Sequence, residues 1–216
     1  MGNKSLMEYV WDGDVEGAIK LMKYAKPEDV RRAVRYADKY LKYEDAVKLY
    51  EVAKPRIQEY IMKTLGIEMP LDLPHGWTDK IKELVRDITV DSWDKAKDMV
   101  EFFVTTKYDD YMRGVISRKR LLGLLPYIPV SVVFDRQNEA PMFLDLIEVE
   151  CSDVYYETYI IGKNRDDERI TIDGIYLPIF QCDIEAWDLL HSALSAPNEF
   201  EHVRIGDKIY LRMWWD

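Results

Sequence analysis

The fold is decided by the stretch LLGLLPYIPVSVVF, residues 121–134. Before this stretch, apolar residues recur at helical spacing among charges of both signs, and after it apolar and polar residues alternate between turn dipeptides. Pro126 and Pro129 favour the end of a helix followed by an extended segment. We therefore predict an α+β protein. An α-helical module of hairpins or a bundle covers residues 1–125, and a mainly antiparallel β-sheet module with one covering helix covers residues 126–216.

The charge balance changes at the same place as the hydrophobic period. Residues 1–125 contain 23 Lys and Arg against 22 Asp and Glu, whereas residues 126–216 contain 7 against 18. The predicted sheet module is therefore strongly acidic. Residues 121–134 are the longest uncharged run, and they are shorter than the ~20 residues that a membrane-spanning helix needs. We expect no membrane segment.

Composition and cysteine usage bear on the source and location of the protein. Asn, Gln, Ser and Thr are scarce while Lys, Glu and Tyr are plentiful, which is the direction taken by thermophilic proteins. The first residues lack the apolar core of a signal peptide, so a cytoplasmic location is expected. Cys151 and Cys182 show no metal-binding spacing, which leaves either two buried thiols or one disulfide.

The helical half contains an internal echo at an offset of 28 residues. Residues 15–27 (VEGAIKLMKYAKP) and 43–55 (YEDAVKLYEVAKP) share most of their positions. Each copy predicts a helix, with Asp14 as the N-cap of the first and the closing proline at the start of the next helix. Two copies favour a compact bundle over a solenoid. The apolar side chains of residues 66–77 (GIEMPLDLPHGW) predict a packed connector.

Periodicity assigns the remaining elements. We predict helices from Thr78, from Asp91 or Ser92 to Phe103, and over about residues 108–125. Strands are predicted at residues 130–134, 142–151, 155–161, 169–172, 175–180, 203–205 and 208–214. Asp173-Gly174 and Gly206-Asp207 predict hairpin turns. A helix over about residues 184–195 is predicted to pack Trp187, Leu190 and Leu194 on the sheet.

Cationic and aromatic residues supply the candidate partner-binding site. One helix presents both kinds on nearby positions: Arg31, Arg35, Tyr36, Lys39, Tyr40 and Tyr43. Cations bind phosphates and tyrosines stack on bases, so this face suits a protein or nucleic-acid partner, and the alternative is a solvated helix surface. The further candidates are Arg113, Arg118, Arg120, Trp214 and Trp215.

Three acids offer an enzymatic alternative. If Asp135, Asp145 and Glu148 converge, their oxygens suit Mg²⁺ or Mn²⁺ and a metal-dependent nuclease. A regular strand puts Asp145 and Glu148 on opposite faces, which argues against convergence. No nucleophile motif or glycine-rich phosphate loop occurs in the sequence.

These patterns favour a non-enzymatic interaction or adaptor protein over the nuclease. We expect a protein partner or self-association, with nucleic acid as a further candidate partner. No cofactor, metal or small-molecule site is predicted. A structural or assembly subunit is the third alternative, in which Trp214 or Trp215 holds an oligomer together.

Overall fold

A computed structural model of the chain describes residues 4–105 and 110–216. The α-helices of these residues are α1 (Leu6–Trp11), α2 (Val15–Met22), α3 (Pro27–Tyr40), α4 (Tyr43–Leu65), α5 (Thr78–Leu84), α6 (Trp93–Ala96), α7 (Arg118–Leu124), α8 (Phe143–Ile147) and α9 (Asp183–Ser192). The strands are β1 (Thr89–Val90), β2 (Phe102–Thr105), β3 (Tyr111–Ser117), β4 (Tyr155–Ile161), β5 (Arg169–Pro178), β6 (Glu199–Ile205) and β7 (Lys208–Trp214). The helices are mostly N-terminal and the strands follow, so the predicted α+β class is confirmed.

The helices α1 to α4 pack together at the N-terminal end. The carboxylate of Asp14 accepts the backbone N–H of Gly17 at 2.9 Å and so caps α2, as predicted. Pro27 occupies the first turn of α3, where its missing N–H has no helical partner to lose. The stripe of α3 formed by Val30, Ala33, Val34 and Ala37 is completely buried. Burial of these stripes stabilises the bundle.

The second copy of the echo does not end at its proline. Helix α4 continues through Pro55 to Leu65 and ends at Gly66, which has φ of 68°. The prediction that Pro55 begins a new helix is wrong. The apolar stripe continues on both sides of Pro55 through Ala53 and Ile57, and its burial outweighs the one backbone hydrogen bond that the proline removes.

The seven strands form one sheet in the order β1-β2-β3-β4-β5-β7-β6. Strands β1 and β2 are parallel, and every other neighbouring pair is antiparallel. Residues Gly206 and Asp207 connect β6 to β7 as predicted, and Gly206 has φ of 62°. No helix in the described part of the chain has both the length and the apolarity needed to cross a bilayer.

The change from helix to strand falls at residue 89 and not beyond Leu125. The helix predicted for residues 91–103 begins as predicted, as α6 with Ser92 as its N-cap, but it ends at Ala96, and residues 102–103 belong to β2. The helix predicted for about residues 108–125 is wrong in its first half, because β3 occupies residues 111–117, and α7 confirms its second half; residues 108 and 109 lie outside the described residues. Strand β3 buries Met112, Gly114 and Ile116 in strict alternation. A Cβ on Gly114 would lie 1.9 Å from the carbonyl oxygen of Phe102, so glycine allows β2 to approach. One hydrophobic core includes residues from both predicted modules.

Two predicted strands are helical. Residues 130–134 form a 3₁₀ turn and residues 143–147 form α8. Both segments are buried on nearly all sides, including Val133, Phe134 and Leu144. A short, continuously apolar run does not distinguish a buried strand from a buried helix, which explains the error.

Asp173-Gly174 is not a turn. Both residues lie inside β5, where the pairing with β4 shifts between Glu157 and Thr158 to form a bulge. A Cβ on Gly174 would lie 3.1 Å from the ring of Trp214 and 3.3 Å from Cβ of Glu157. The glycine therefore makes room for these two side chains above the strand.

Two further links hold the covering helix α9. Cys151 and Cys182 form a disulfide that joins the segment after α8 to the start of α9. The guanidinium of Arg136 donates to the carboxylate of Asp38 at 2.7 Å and to the carbonyl oxygens of Arg35 at 2.8 Å and Ser192 at 2.9 Å. Helix α3 and the last turn of α9 are thus tied to the same side chain.

Candidate functional site

The basic side of α3 faces α8 and α9. Arg31 is only 7% exposed. Its Nη2 lies 2.6 Å from Oδ1 of Asp145, and its Nε lies 2.9 Å from Oε2 of Glu148. Burial alone would lower the pKa of Arg31, but the charges and hydrogen bonds of the two carboxylates raise it. Nε and Nη2 of this cation are thus paired within the chain, while its Nη1 is buried without a hydrogen-bond partner among the described residues.

The next two cations of α3 contact α9. Nη2 of Arg35 lies 2.7 Å from Oδ2 of Asp188, and Nζ of Lys39 donates to the carbonyl oxygen of His191 at 2.5 Å. A cation at the end of a helix binds the last carbonyl groups favourably. Arg31, Arg35 and Lys39 therefore dock α3 onto the acidic half of the molecule.

The predicted tyrosines have different surroundings. The ring of Tyr36 lies 6.0 Å from the guanidinium of Arg35 and 5.8 Å from Nζ of Lys39. Tyr40 and Tyr43 are exposed, and Tyr40 packs edge-on against Trp11. Tyr36 and Tyr40 line a groove of about 690 Å³ between α1 and α3. Tyr36 thus lies beside two of the cations that were predicted to act with it, whereas Tyr40 packs against Trp11.

The three acids of the nuclease alternative do not share a site. Asp145 and Glu148 both accept from Arg31, while Asp135 accepts from the hydroxyl of Thr171. Burial raises the pKa of Asp135. Among residues 4–105 and 110–216, no group of His, Cys, Asp and Glu side chains has the arrangement of a metal site.

The basic cluster at the start of α7 is also engaged internally. Arg118 donates to the carbonyl oxygen of Ile147 at 3.3 Å. Arg120 binds both carboxylate oxygens of Asp87 at 3.1 Å. These contacts join α7 to neighbouring segments, so they explain both arginines structurally.

Arg113 belongs to a polar cluster on the sheet face that points away from the core. The buried carboxylate of Glu157 accepts from Arg113 at 3.1 Å, from Arg212 at 2.5 Å and from the hydroxyl of Tyr176 at 2.5 Å. Burial would raise the pKa of Glu157, but these hydrogen bonds and charges lower it. Glu157 therefore stays ionised between two arginines.

The two C-terminal tryptophans have different environments. The ring of Trp214 lies 5.9 Å from Arg113 and 5.7 Å from Arg212, and its Nε1 donates to Asp173 at 2.9 Å. Burial raises the pKa of Asp173 to about 6, and the nearby charge of Glu157 adds to the effect. Trp215 is only 1% exposed, and its Nε1 donates to the carbonyl oxygen of Ser195 at 3.1 Å. Trp215 is therefore a core residue.

The largest exposed apolar side chains near one another lie on and before α9. Phe180 is 87% exposed, Ile184 83% and Trp187 66%. The spacing of Ile184 and Trp187 places them on one side of the helix, and Phe180 lies in the turn before α9, with φ of 64°. We call these three residues the outer α9 surface. The prediction that Trp187 packs on the sheet is wrong, because Ala186 and Leu189 provide the buried side of α9.

Acidic residues border the outer α9 surface. Asp183 and Glu185 form no ion pair with any residue that the structure describes. A cleft of about 240 Å³ beside Ile184 is lined by acids from two elements. These acids are Asp145, Glu148, Glu150, Glu185 and Asp188, and Arg31 is the cation that lines the cleft with them. The surface is therefore apolar in its centre and negative along one side.

Sequence reasoning missed this surface because α9 has apolar residues on two sides. Such a helix is ordinarily predicted to be buried all round. Only the side with Ala186 and Leu189 has a partner within the described chain, and the side with Ile184 and Trp187 does not. The second apolar side was the signal in the sequence. Comparisons of the chain with protein families, with curated proteins and with solved structures find no match.

Proposed function

We propose that this protein is a non-enzymatic interaction protein that binds a basic, amphipathic helix of a partner protein at the outer α9 surface. The exposure of Phe180, Ile184 and Trp187 carries this proposal. Large apolar side chains grouped on a surface mark protein contacts, and tryptophan is enriched among residues that dominate binding energy. An amphipathic helix lying against such a surface is a common mode of recognition.

The charges around this surface support a basic partner. Asp183 and Glu185 are free of ion pairs with described residues, and Glu150 adds a third carboxylate at the acid-lined cleft. A Lys or Arg side chain of the partner fits that cleft in charge and in size. The apolar side of the partner helix then covers Ile184 and Trp187.

Nucleic acid is a poorer fit than a basic protein. The cations of α3 that would meet phosphates are used by Asp145, Glu148 and Asp188. Free acids on the outer α9 surface would repel phosphates. The nuclease alternative loses support because Asp135 lies apart from Asp145 and Glu148.

The composition supports a thermophilic source and a cytoplasmic location for this interaction protein. The disulfide between Cys151 and Cys182 is compatible with both, since intracellular proteins of hyperthermophiles carry disulfides.

Binding of a designed peptide tests the proposal. The probe is a labelled peptide of about 18 residues with leucines on one helical side and lysines on the other, followed by fluorescence anisotropy. We expect Trp187→Ala and Ile184→Ser each to weaken binding by roughly tenfold or more, because both remove apolar contact area. Tyr24→Ala is the matched control, since Tyr24 is exposed on α2's side of the molecule and far from α9 in sequence.

Three comparisons make the result decisive. The same peptide with glutamates in place of lysines should bind much more weakly, and duplex DNA at low salt should not compete. Equal binding by both peptides, or loss of binding in Tyr24→Ala, would contradict the proposal. A stable oligomer that Trp187→Ala dissociates would assign the surface to self-association and would also overturn it.

A further inference from the structure

Strand β6 lies at the end of the sheet and has an open outer edge. In the sheet order, β7 is its one neighbour, and no strand of residues 4–105 or 110–216 pairs with its other side. All seven residues of β6 pair in register with β7, from Glu199 opposite Trp214 to Ile205 opposite Lys208. Every second residue of such a strand points its N–H and C=O away from the neighbour. The strand is therefore regularly paired along its inner side, and no described strand covers its outer side.

The edge lacks the features that usually block strand addition. Strand β6 contains no proline, and its pairing with β7 has no bulge. Its first four residues are exposed. Charged side chains are the one protection that β6 carries, and charges block only partners of the same sign.

The side chains of β6 define which partner the edge would accept. Glu199 and Glu201 point to the sheet face of Arg212, whose Nη1 contacts both carboxylates. Arg212 also binds Glu157, which Arg113 contacts as well, so two guanidinium groups meet three carboxylates and the face keeps an excess of negative charge. On the opposite face, Phe200 is exposed. Over residues 199–201, acidic and apolar side chains thus alternate with the period of a strand, while His202 and Arg204 share the face of Phe200 towards the turn.

We propose that β6 accepts an eighth strand from a basic partner chain. The added strand would place Lys or Arg opposite Glu199 and Glu201 and an apolar residue opposite Phe200. Backbone hydrogen bonds would supply affinity, and the alternating side chains would supply specificity. The inference goes beyond the proposed function, because strand addition requires no contact with the outer α9 surface.

A second copy of the chain fits the edge less well than a basic strand. Antiparallel self-pairing centred on Phe200 sets Glu199 opposite Glu201 of the other copy, and pairing centred on Glu201 sets that residue against itself. Like charges directly opposite each other destabilise a strand pair. In these two registers the acids therefore act against self-association, while they favour a basic strand.

Amide exchange with a short peptide tests the inference. The probe is a blocked peptide of about eight residues that alternates lysine and valine, a length matched to one strand. We expect the outward-pointing amides of β6 to become protected from hydrogen exchange when the peptide binds. The matched control carries N-methyl groups on every second residue, which keep its charge but remove the backbone donors. This control should bind at least roughly tenfold more weakly.

Protein variants add an independent measurement. Glu199→Gln together with Glu201→Gln should weaken peptide binding, whereas Asp207→Asn in the β6–β7 turn should not. A urea titration shows whether the double variant remains folded; if it does not, the N-methylated peptide alone decides the question. Equal binding of methylated and unmethylated peptides, or unprotected β6 amides, would overturn the inference.

The outcome is separable from that of the proposed function. Strand-peptide binding that persists in Trp187→Ala supports the edge site even if the helical peptide fails to bind. Binding of the helical peptide without protection of β6 overturns the edge site and leaves the proposed function standing. Protection of the β6 amides in the protein alone, with dimer formation, would show a second copy at the edge and would overturn the inference.

Discussion

Helices α3 and α9 contact each other but present opposite kinds of surface. The charged side of α3 is turned inward, where Arg31 meets Asp145 and Glu148. The apolar side of α9 is turned outward, where Ile184 and Trp187 face solvent. The cations of α3 resemble a binding face but hold the molecule together. The outward apolar residues of α9 resemble part of a core but are exposed to solvent. Residue type indicates the chemistry of a contact but not whether its partner lies in the same chain.

The difference has an energetic basis. Two opposite charges that are buried together offset the cost of removing each other from water. Removing one of them leaves the other buried and uncompensated. Exposed apolar side chains contribute little to the folded chain until a partner covers them. The contacts of α3 should therefore control stability, and those of the outer α9 surface should control binding.

The strongest test of this contrast is Arg31→Met. It removes the cation shared by Asp145 and Glu148 and should lower the free energy of unfolding by about 3–5 kcal/mol, measured by urea titration. Arg32→Met is the matched control, because Arg32 is exposed and forms no ion pair with a described residue. The double variant Arg31→Met with Asp145→Leu should recover part of the loss. Equal losses of stability in Arg31→Met and Arg32→Met would show that the buried ion pairs of α3 do not control stability.

The second test concerns Asp173, a buried acid whose negative charge is compensated less well by nearby cations than that of Asp145. Its pKa is raised from 3.8 to about 6, so the folded state binds more protons than the unfolded state between these values. This group should lower the free energy of unfolding as pH rises from about 4 to about 6, by on the order of 2–3 kcal/mol, and should have no further effect above that range.

The measurement compares urea unfolding of the native protein and Asp173→Asn at pH 4.5 and 7.5. The variant keeps an acceptor for Trp214. Its free energy of unfolding, taken relative to that of the native protein, should be higher at pH 7.5 than at pH 4.5. Asp207→Asn in the exposed turn controls for general charge effects. A difference that is the same at both pH values would show that Asp173 does not titrate in this range.

A smaller effect is expected where α3 meets solvent. Arg35→Met removes one of the two arginines beside Asp145, which keeps Arg31 as its partner at 2.6 Å. It also removes the contact with Asp188, which is itself largely exposed. The free energy of unfolding should fall by about 1 kcal/mol, because solvent screens this pair. Lys42→Met provides the control at an exposed cation. A loss as large as that of Arg31→Met would mean that burial does not distinguish the two arginines.

The smallest effect on stability is expected for Trp187→Ala. Removing a side chain that is 66% exposed should change the free energy of unfolding by no more than about 0.5 kcal/mol. The same variant should lose binding of the helical peptide. A large loss of stability would instead show that Trp187 packs within the chain, and the functional assignment of α9 would fail with it.

Local patterns predicted much of the fold. Strands β4 and β7, the Gly206-Asp207 turn, the Asp14 cap and the helix at residues 183–192 follow from alternation, turn chemistry and capping. The residues of β3 were predicted as one helix together with those of α7, whereas the alternation of Met112, Gly114 and Ile116 depends on a neighbouring strand. Tertiary pairing determined that element.

The candidate site was less predictable than the fold. Arg31 and Asp145 are 114 residues apart, and nothing in either local segment indicates that they meet. The convergence required by the nuclease alternative could not be judged from the sequence for the same reason. Asp135 accepts a hydrogen bond from the hydroxyl of Thr171 on β5 and lies apart from the other two acids. Exposure of Ile184 and Trp187 depends on what the rest of the chain leaves uncovered, which periodicity does not describe.

The side chain of Arg136 connects the two helices of this comparison. Its guanidinium holds the carboxylate of Asp38 and the carbonyl oxygens of Arg35 and Ser192 at once. A shift of α9 by a fraction of an ångström would lengthen bonds to α3 as well as to its own last turn. The last turn of α9 therefore cannot move without disturbing a side chain that also anchors α3.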